Sequence, residues 1–362
     1  MKVKNIAVIT PQLYPFYIGG VEVFNYSILL ELSKDYQVEY VSYDKLISIT
    51  SKHFRLSKGK FLKYLHLLLW ITILALKKRV FVLSFSRSNV LYWLIFPLLN
   101  ILLGTKYVII IHGGGLTGLK KNVIYNYLFK RSTKLFGVSE VICKKYNESY
   151  NIQVDYLPPV IPFKQSDLSK EKLRLNYSLP IDSKLFLYVG SLKKLKRPEV
   201  VVDAFVSLGY DYLEKYNIYL IIAGDGPMRQ YLIDIVNYYK LNKYIKFLGN
   251  VERNSIPDLY RMSDCYIISS DFEGTPISML EAMYNKLTII AANSQGINDI
   301  IINECNGLLF NNNSTYELTK LLKLIIEEDV TTKYYCRNAY STYLEKFSFT
   351  DTINKIKIAI SL

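Results

Sequence analysis

Two glutamates stand eight residues apart where a polar segment leads into an apolar run. Glu273 lies in the polar segment, and Glu281 lies in the run that starts at Ile277. A strand ending near Ser269 and a helix starting near Ile277 would place Glu273 at the strand's carboxyl end and Glu281 inside the helix. Backbone N–H groups within residues 275–278 would then form a helix N-terminus, which attracts phosphate. The pattern suits a ligand that carries both hydroxyl groups and a diphosphate.

A basic loop lies earlier in the chain. Four cations fall within Lys193–Arg197, just after Gly190 and a predicted strand at 185–189. Cations at a strand end can balance the negative charge that builds on a leaving diphosphate. The alternative interpretation is a basic surface loop that binds nothing.

Two further features point to the same chemistry in the N-terminal half. His112 directly follows the apolar segment Tyr107–Ile111, so it is predicted to lie at a strand end, although a lone histidine can also be structural. Gly19 and Gly20 precede a predicted helix beginning at Val21. Glycine lets the backbone approach an anion closely because no Cβ intervenes. A simple turn is the alternative for the two glycines.

Apolar periodicity supplies the elements that must position these residues. Strand-like and helical segments alternate along the chain, which predicts α/β domains with parallel sheets covered on both faces. The proline-rich segment between Tyr156 and Ser183 interrupts the alternation. We therefore predict an N-terminal domain at 1–162, a second domain at 163–346, and a C-terminal helix at about 347–362. Predicted elements include helices at 61–76, 90–103, 277–284 and 297–303.

The spacing of Glu273 and Glu281 resembles the E-x7-E motif of family 4 of the retaining glycosyltransferases. The surrounding pattern S-x-x-E-G-x-P-x-x-x-x-E-A-M is also similar to that family. The resemblance implies the GT-B fold, an α/β architecture of two Rossmann-like doubly wound parallel-sheet domains facing across a cleft. It further implies that the second domain binds a nucleotide-sugar donor, that the first binds the acceptor, and that the last helix packs back on the first.

The resemblance also assigns roles. Glu273 would bind the transferred sugar and give electrostatic support, His112 would contact that sugar, and Lys196 would face the diphosphate. Ser191 replaces the arginine that the family usually carries, and Arg197 is expected to supply that charge. Glu281 would bind the ribose hydroxyls. The full set of predicted donor contacts is Gly19, Gly20, Ser191, Arg197, Gly224, Asp225, Leu248, Gly274, Thr275, Pro276, Ile277 and Glu281.

The positive charge is confined to one half of the sequence. The chain carries 45 Lys and Arg against 31 Asp and Glu, and residues 1–165 hold 22 of the cations but only 8 of the acids. Such asymmetry favours an anionic partner. No aromatic-basic RNA module is present, so we expect no nucleic acid. The basic, apolar region 54–79 could rest on an anionic bilayer or could be an ordinary packed helix, and a solvated surface without a partner is also open.

Cysteine and histidine usage argues against a resident metal. The four cysteines are scattered, the three histidines lack metal-ligand spacing, and no D-x-D motif occurs. We expect no cofactor and no metal. The N-terminus does not read as a signal peptide, and the longest apolar runs are shorter than the roughly 20 residues of a membrane-spanning helix. A cytoplasmic protein, able to lie on the inner face of the cell membrane, is expected.

The resulting functional expectation is a retaining glycosyltransferase of the hexosyltransferase type. It would move a sugar from a nucleotide-sugar to a hydroxyl of a glycan or lipid-linked acceptor, in cell-surface polysaccharide, glycolipid or protein glycosylation. Two alternatives stay open at this point. One is a GT-B nucleotide-sugar epimerase or hydrolase, and the other is a catalytically silent protein that binds sugar or lipid.

Overall fold

The computed structural model describes residues 5–10, 20–42, 60–77, 80–85, 93–112 and 122–362. The chain divides into two compact units. Unit 1 consists of Met1–Pro162 together with Ser348–Leu362, and unit 2 consists of Phe163–Phe347. The last helix of the chain therefore belongs to the N-terminal unit.

The sheet of unit 1 is parallel, in the order β2-β1-β3-β4-β5-β6. Its central strands are apolar runs that are almost entirely buried, as expected for a parallel sheet covered on both faces. The strand order reverses between β1 and β3. The strands are β1 Asn5–Thr10, β2 Gln37–Ser42, β3 Val80–Phe85, β4 Tyr107–Ile111, β5 Lys134–Gly137 and β6 Asp155–Tyr156.

Helices surround this sheet. In the described residues of unit 1 they are α1 Gly20–Leu32, α2 Lys60–Leu76, α3 Ile95–Leu103, α4 Val123–Arg131, α5 Glu140–Tyr150 and α14 Phe349–Ser361. Helix α14 contacts α1 and β4, and the Lys357 ammonium lies 2.5 Å from an Asp35 carboxylate oxygen. Helix α14 is thus tied to unit 1 by packing and by an ion pair.

The sheet of unit 2 is also parallel, in the order β12-β11-β10-β7-β8-β9. Read from β9, this is the 3-2-1-4-5-6 order of a Rossmann sheet, whose ligands bind where the order reverses. The reversal lies between β7 and β10. The strands are β7 Lys184–Val189, β8 Ile218–Ala223, β9 Ile245–Gly249, β10 Cys265–Ile268, β11 Thr288–Ala292 and β12 Leu308–Phe310.

In unit 2, helices alternate with strands along the sequence. Two of them begin at serines whose hydroxyls accept backbone hydrogen bonds, Ser169 and Ser314. The helices are α6 Lys170–Asn176, α7 Pro198–Leu208, α8 Tyr210–Lys215, α9 Arg229–Tyr238, α10 Ile256–Met262, α11 Ile277–Tyr284, α12 Thr315–Glu327 and α13 Asp329–Lys346, with short 3-10 turns at Lys194–Lys196 and Arg253–Ser255.

The predicted helix at 297–303 is wrong, because this segment forms turns. Side-chain amides take the place of helical backbone bonds there. The Asn306 side chain accepts from the Ile302 amide and donates to the Ile300 carbonyl, and Asn303 accepts from the Leu309 amide. Asparagine competes with the backbone in this way and favours turns over helices.

Two other predictions need adjusted bounds. Helix α3 begins at Ile95 rather than 90, and residues 86–92 lie outside the described part of the chain. The predicted basic helix of region 54–79 is α2 over residues 60–76, whereas residues 54–59 and 78–79 lie outside the described residues. Within the described ranges, no helix has both the length and the apolar content needed to cross a bilayer.

Candidate functional site

Two loops meet where the strand order of unit 2 reverses. Strand β7 leads into the loop that ends at Arg197, and β10 leads into the loop that starts at Ser269. The Ser269 hydroxyl donates to the carbonyls of Lys196 (2.9 Å) and Arg197 (2.8 Å). The Asp271 amide donates to the Leu195 carbonyl at 2.9 Å. These bonds fix the basic loop against the loop that carries the first glutamate.

Lys196 and Glu273 form an ion pair at this junction. The Lys196 ammonium lies 2.5 Å from Glu273 Oε1, and the Ser270 hydroxyl donates to the same oxygen at 2.7 Å. The side chain of Glu273 is 13% exposed and that of Lys196 is 28% exposed. Because water is partly excluded, the attraction is screened less than in a surface pair. The structure thus brings together two residues that the sequence assigns to catalysis.

The loop after β11 forms hydrogen bonds with the segment that carries Glu273. The Glu273 amide donates to the Gln295 carbonyl at 3.0 Å, and the Ser294 hydroxyl donates to the Ser270 carbonyl at 2.7 Å. Gly296 has φ +88°, and a Cβ there would lie 1.9 Å from the Glu273 carbonyl oxygen. Only glycine permits this approach. The position of Glu273 therefore depends on a segment well beyond its own loop.

Helix α11 begins directly after the Glu273 loop. Its N-cap is Pro276, and no side chain caps the helix end. Proline has no N–H group, so the amides of the predicted anion site are those of Thr275, Ile277 and Ser278. An N-terminus of this kind favours negative charge. Gly274 lies just before it, and a Cβ at Gly274 would meet no atom within 4 Å.

Glu281 lies in α11 in a different environment. Its carboxylate pairs with the Arg253 guanidinium and accepts a 3.1 Å hydrogen bond from the Tyr260 hydroxyl. Burial raises the pKa of Glu281, while Arg253 and Tyr260 act in the opposite direction. The ribose-binding role of Glu281 stays a prediction. No motif or spacing in the sequence indicated that Arg253 and Tyr260 would be its partners.

The other predicted donor residues lie at neighbouring strand ends. Gly224 and Asp225 follow β8, and Leu248 lies in β9. A Cβ at Gly224 would lie 1.9 Å from the Gly190 carbonyl oxygen, so the turn after β8 packs directly on the loop after β7. Asp225 accepts a 2.7 Å bond from the next amide, that of Gly226. Strand ends β7 to β10 thus share one edge of the sheet.

Arg197 occupies a backbone conformation that is uncommon for arginine, with φ +48° at the start of α7. Its guanidinium lies 2.9 Å from Glu199 and 3.7 Å from Asp271. Ser191, in the position where the family usually has arginine, lies in the same loop. The structure therefore places the Arg197 charge beside two acids, and its predicted role toward the diphosphate stays a prediction.

His112 follows β4 in unit 1. Its amide donates to the Phe85 carbonyl at 3.1 Å, and its ring meets Phe24 edge-on with the centroids 6.0 Å apart. Among the described residues, Nε2 is buried without a hydrogen-bond partner. Burial lowers the pKa of His112 to about 4, so the imidazole is neutral at pH 7. A buried, unpaired imidazole nitrogen is suited to meet a polar ligand atom.

A polar cluster that the sequence did not reveal occupies the strand-order reversal of unit 1. The buried Asn25 amide, from α1, donates to Thr10 at the end of β1 (3.1 Å) and to Ser84 in β3 (2.9 Å). Gly20 is the first residue of α1, and Gly19 lies outside the described residues. The cluster joins α1 to the two strands between which the order reverses.

No three His, Cys, Asp or Glu residues in the described ranges lie together in a way that could hold a metal ion.

Most of the second unit is similar to a known protein family. The model of the family described as glycosyl transferases group 1 matches residues 169–342. This range contains the Lys196–Glu273 pair, Glu281 and the strand ends around them. The match therefore spans just under half of the chain.

Two curated relatives resemble parts of this chain. An uncharacterized glycosyltransferase of Methanocaldococcus jannaschii is 29% identical over 199 residues, which are 53% of this chain and 50% of the relative. A Campylobacter jejuni α-1,4-N-acetyl-D-galactosaminyltransferase, named for an undecaprenol-diphosphate-linked glycan, is 30% identical over 156 residues, 43% of this chain and 42% of the relative. The chain thus spans about half the length of the curated relatives it matches.

Solved structures extend the likeness of fold over nearly the whole chain. Anabaena HepE, solved in complex with UDP-glucose, has a TM-score of 0.74 at 15% identity, covering 99% of each chain. A glycosyltransferase of Rickettsia africae has a TM-score of 0.76 at 19% identity, covering 99% of this chain and 98% of that one. The predicted α/β fold class with two Rossmann-like domains is confirmed.

Proposed function

We propose that this chain is a retaining glycosyltransferase that moves a sugar from a nucleotide-sugar to an acceptor hydroxyl. Unit 2, which contains the segment similar to group 1 glycosyl transferases, would bind the donor. The observation that carries the proposal is the Lys196–Glu273 ion pair at the strand-order reversal, beside the N-terminus of α11. Ligands of doubly wound sheets bind at such reversals.

Each group of this site has a task in the proposed reaction. The diphosphate of the donor competes for the Lys196 ammonium, which leaves the Glu273 carboxylate able to accept hydrogen bonds from sugar hydroxyls. Negative charge grows on the diphosphate as the glycosidic bond breaks, and Lys196 with the α11 amides stabilises that charge. Glu273 binds and supports the sugar electrostatically, and we do not assign it to covalent attack. His112 stays the predicted polar contact to the transferred sugar.

A uridine diphosphate sugar is the first donor class to test. The support is limited to likeness of fold with HepE, whose structure holds UDP-glucose. Glu281, with Arg253 and Tyr260 against its carboxylate, is the proposed site for the ribose hydroxyls. Carboxylates recognise such diols by accepting two hydrogen bonds.

We propose a glycan or lipid-linked acceptor, and with it a contact between unit 1 and an anionic membrane surface on the cytoplasmic side. Support comes from the excess of cations in residues 1–165 and from the Campylobacter relative, whose name includes an undecaprenol-linked acceptor. Cell-surface polysaccharide, glycolipid and protein glycosylation all use acceptors of this class. Cations near an anionic bilayer each contribute about 1 kcal/mol of attraction.

We also propose that transfer needs no resident metal, because Lys196 and the α11 N-terminus together offset the diphosphate charge. Treatment of the purified protein with EDTA, followed by assay without added metal, should leave the transfer rate within about twofold. A loss that is restored by Mg²⁺ or Mn²⁺ would contradict this part of the proposal.

The proposal as a whole is tested by a thermal-shift screen of the full chain over UDP, UDP-sugars and GDP-sugars. A bound donor raises the unfolding temperature by mass action. The stabilising donor is then incubated with and without an undecaprenyl-diphosphate-linked sugar. Transfer that requires the acceptor supports the proposal, whereas turnover of donor alone indicates an epimerase or hydrolase. Donor binding without any turnover indicates a catalytically silent binding protein.

A further inference from the structure

Helix α3 of unit 1 is apolar on the side that faces solvent. Its inner side chains, Phe96 and Leu99, are buried in the core of the unit. Its outward side chains Leu98, Ile101 and Leu102 are 49%, 50% and 67% exposed. A helix that is apolar all round is normally enclosed by protein or lipid. Among the described residues, about half or more of each of these outward side chains is left uncovered by protein.

The apolar surface continues onto the two neighbouring helices. Helix α3 contacts both α2 and α4. On α2, Leu69 and Leu76 are more than half exposed and lie two turns apart, and on α4 Val123 and Tyr127 are exposed one turn apart. Contiguous exposed apolar patches of this kind mark interaction sites. We call the outer side of α2, α3 and α4 the outer apolar face.

The sequence that contains this face is rich in cations and lacks acids. Residues 45–139, which include all three helices, contain 16 Lys and Arg and no Asp or Glu. Exposed cations stand at the ends of α2 and α4, namely Lys77, Lys130 and Arg131. Arg131 also donates to the Asn100 side chain of α3 (3.2 Å) and lies over the Tyr127 ring, so its charge is held at the edge of the face.

Apolar side chains ringed by cations match the boundary of an anionic bilayer, where acyl chains lie beneath negatively charged headgroups. A second copy of the chain fits less well. A symmetric dimer through this face would bring the same cations of both copies together, with no acid in 95 residues to offset them. No described helix could cross the bilayer, so the contact would be interfacial.

We propose that the outer apolar face of unit 1 docks on anionic lipid, with Leu98, Ile101 and Leu102 inserted among the acyl chains. The inference deepens the membrane contact of the proposed function and rests on that proposal only for the acceptor's location. Docking is measured without donor or acceptor. Its failure is therefore distinguishable from failure of the transferase proposal, which is measured without vesicles.

The test is flotation of the full chain with vesicles of phosphatidylglycerol and phosphatidylcholine in equal amounts, and with pure phosphatidylcholine vesicles. The double variant Leu98→Ser/Leu102→Ser should bind the anionic vesicles at least about tenfold more weakly than the wild type. The matched control Leu175→Ser/Ile302→Ser changes two similarly exposed side chains of unit 2 and should bind as the wild type does. Lys77→Ser and Lys130→Ser should each weaken binding about fivefold at low salt.

A second measurement tests insertion of the face into lipid even if the double variant misfolds. Leu102→Trp should be quenched by brominated acyl chains more strongly than the wild-type background, whereas Leu175→Trp should not. Equal flotation of the double variant and the wild type would overturn the proposal, as would equal binding to neutral and anionic vesicles. A wild type that is dimeric and does not float, and that becomes monomeric in the double variant, would assign the face to a second copy.

Discussion

The two units place different chemistry at the same topological position. In unit 2 the strand-order reversal holds opposite charges, Lys196 and Glu273, with a hydroxyl from Ser270. In unit 1 the reversal holds uncharged groups, the Asn25 amide with Thr10 and Ser84. Opposite charges can be separated by a charged ligand, whereas a hydrogen-bonded amide–hydroxyl cluster mainly fixes the elements it joins. Under the proposed function, the reacting diphosphate would therefore bind in unit 2, and the centre of unit 1 would have an orienting role.

The buried ionisable groups of the two units differ as well. His112 is buried and neutral, with Nε2 unpaired among the described residues. Glu281 in unit 2 is as deeply buried, but it has a cation and a hydroxyl against it. Burial of an unpaired group is costly unless a ligand satisfies it. We therefore expect the transfer rate to depend on the charges in unit 2, and the stability of unit 1 to depend on pH.

The largest effect is expected from removal of the cation in unit 2. Lys196→Met should lower kcat/KM for transfer about 100- to 1,000-fold, because the charge that stabilises the leaving diphosphate is lost. Lys196→Arg should restore part of the rate. The matched control is Lys194→Met, in the same 3-10 turn but exposed, which should stay within about twofold. Equal loss in both variants would mean that the turn contributes only general positive charge.

The next effect concerns the support of Glu273. Gly296→Ala should destabilise unit 2 by about 2–4 kcal/mol, because the methyl group meets the Glu273 carbonyl at a backbone angle that alanine avoids. Denaturation followed by circular dichroism measures this. Gly274→Ala is the matched control from the other side of the same glutamate, with open space at its Cβ, and should change stability by less than about 1 kcal/mol.

Both tryptophans, Trp70 and Trp93, lie in unit 1, so tryptophan fluorescence reports that unit alone. In Gly296→Ala the fluorescence transition should stay at the wild-type denaturant concentration. A shift equal to that of the circular dichroism signal would show that the two units unfold together, and the comparison between them would then lose its thermodynamic basis.

The smallest of these effects is the pH dependence of unit 1. The unfolded chain takes up a proton at His112 below pH 6.5, whereas the folded chain does so only below about pH 4. Stability therefore falls as pH falls from 6.5 to 4, by up to about 3 kcal/mol from this residue. Urea unfolding followed by tryptophan fluorescence should show a weaker fall over this window in His112→Gln. The same pH slope in both proteins would contradict a buried neutral imidazole.

Much of the fold was predictable from local pattern. Strands such as β7 and β8 are continuous apolar runs, and α11 begins at Ile277 and ends at Tyr284 as the apolar spacing predicts. The failure at 297–303 has a specific cause, since the Asn306 side chain takes the Ile302 amide and the Ile300 carbonyl, which a helix would need. Helical periodicity reports only where the apolar residues lie. It does not detect a side chain that competes for backbone hydrogen bonds.

The sequence predicted the site residues that belong to a motif, and it did not predict the others. The resemblance assigned both Lys196 and Glu273 to the donor site. In the structure, the Lys196 ammonium lies 2.5 Å from Glu273 Oε1. Arg253, Tyr260 and Asn25 reach their partners only through the fold, across sequence separations of 28, 21 and 59 residues. Such contacts depend on strand order, which one sequence does not specify.

The most direct measurement of the central claim is donor binding and transfer in Glu273→Gln. The amide keeps the size of the side chain but removes the charge that pairs with Lys196 and supports the sugar. We predict that transfer falls at least about 100-fold while nucleotide binding, read as the thermal shift with the nucleoside diphosphate, stays within about threefold. Transfer at the wild-type rate would contradict the account, because the ion pair at the strand-order reversal would then have no part in the reaction.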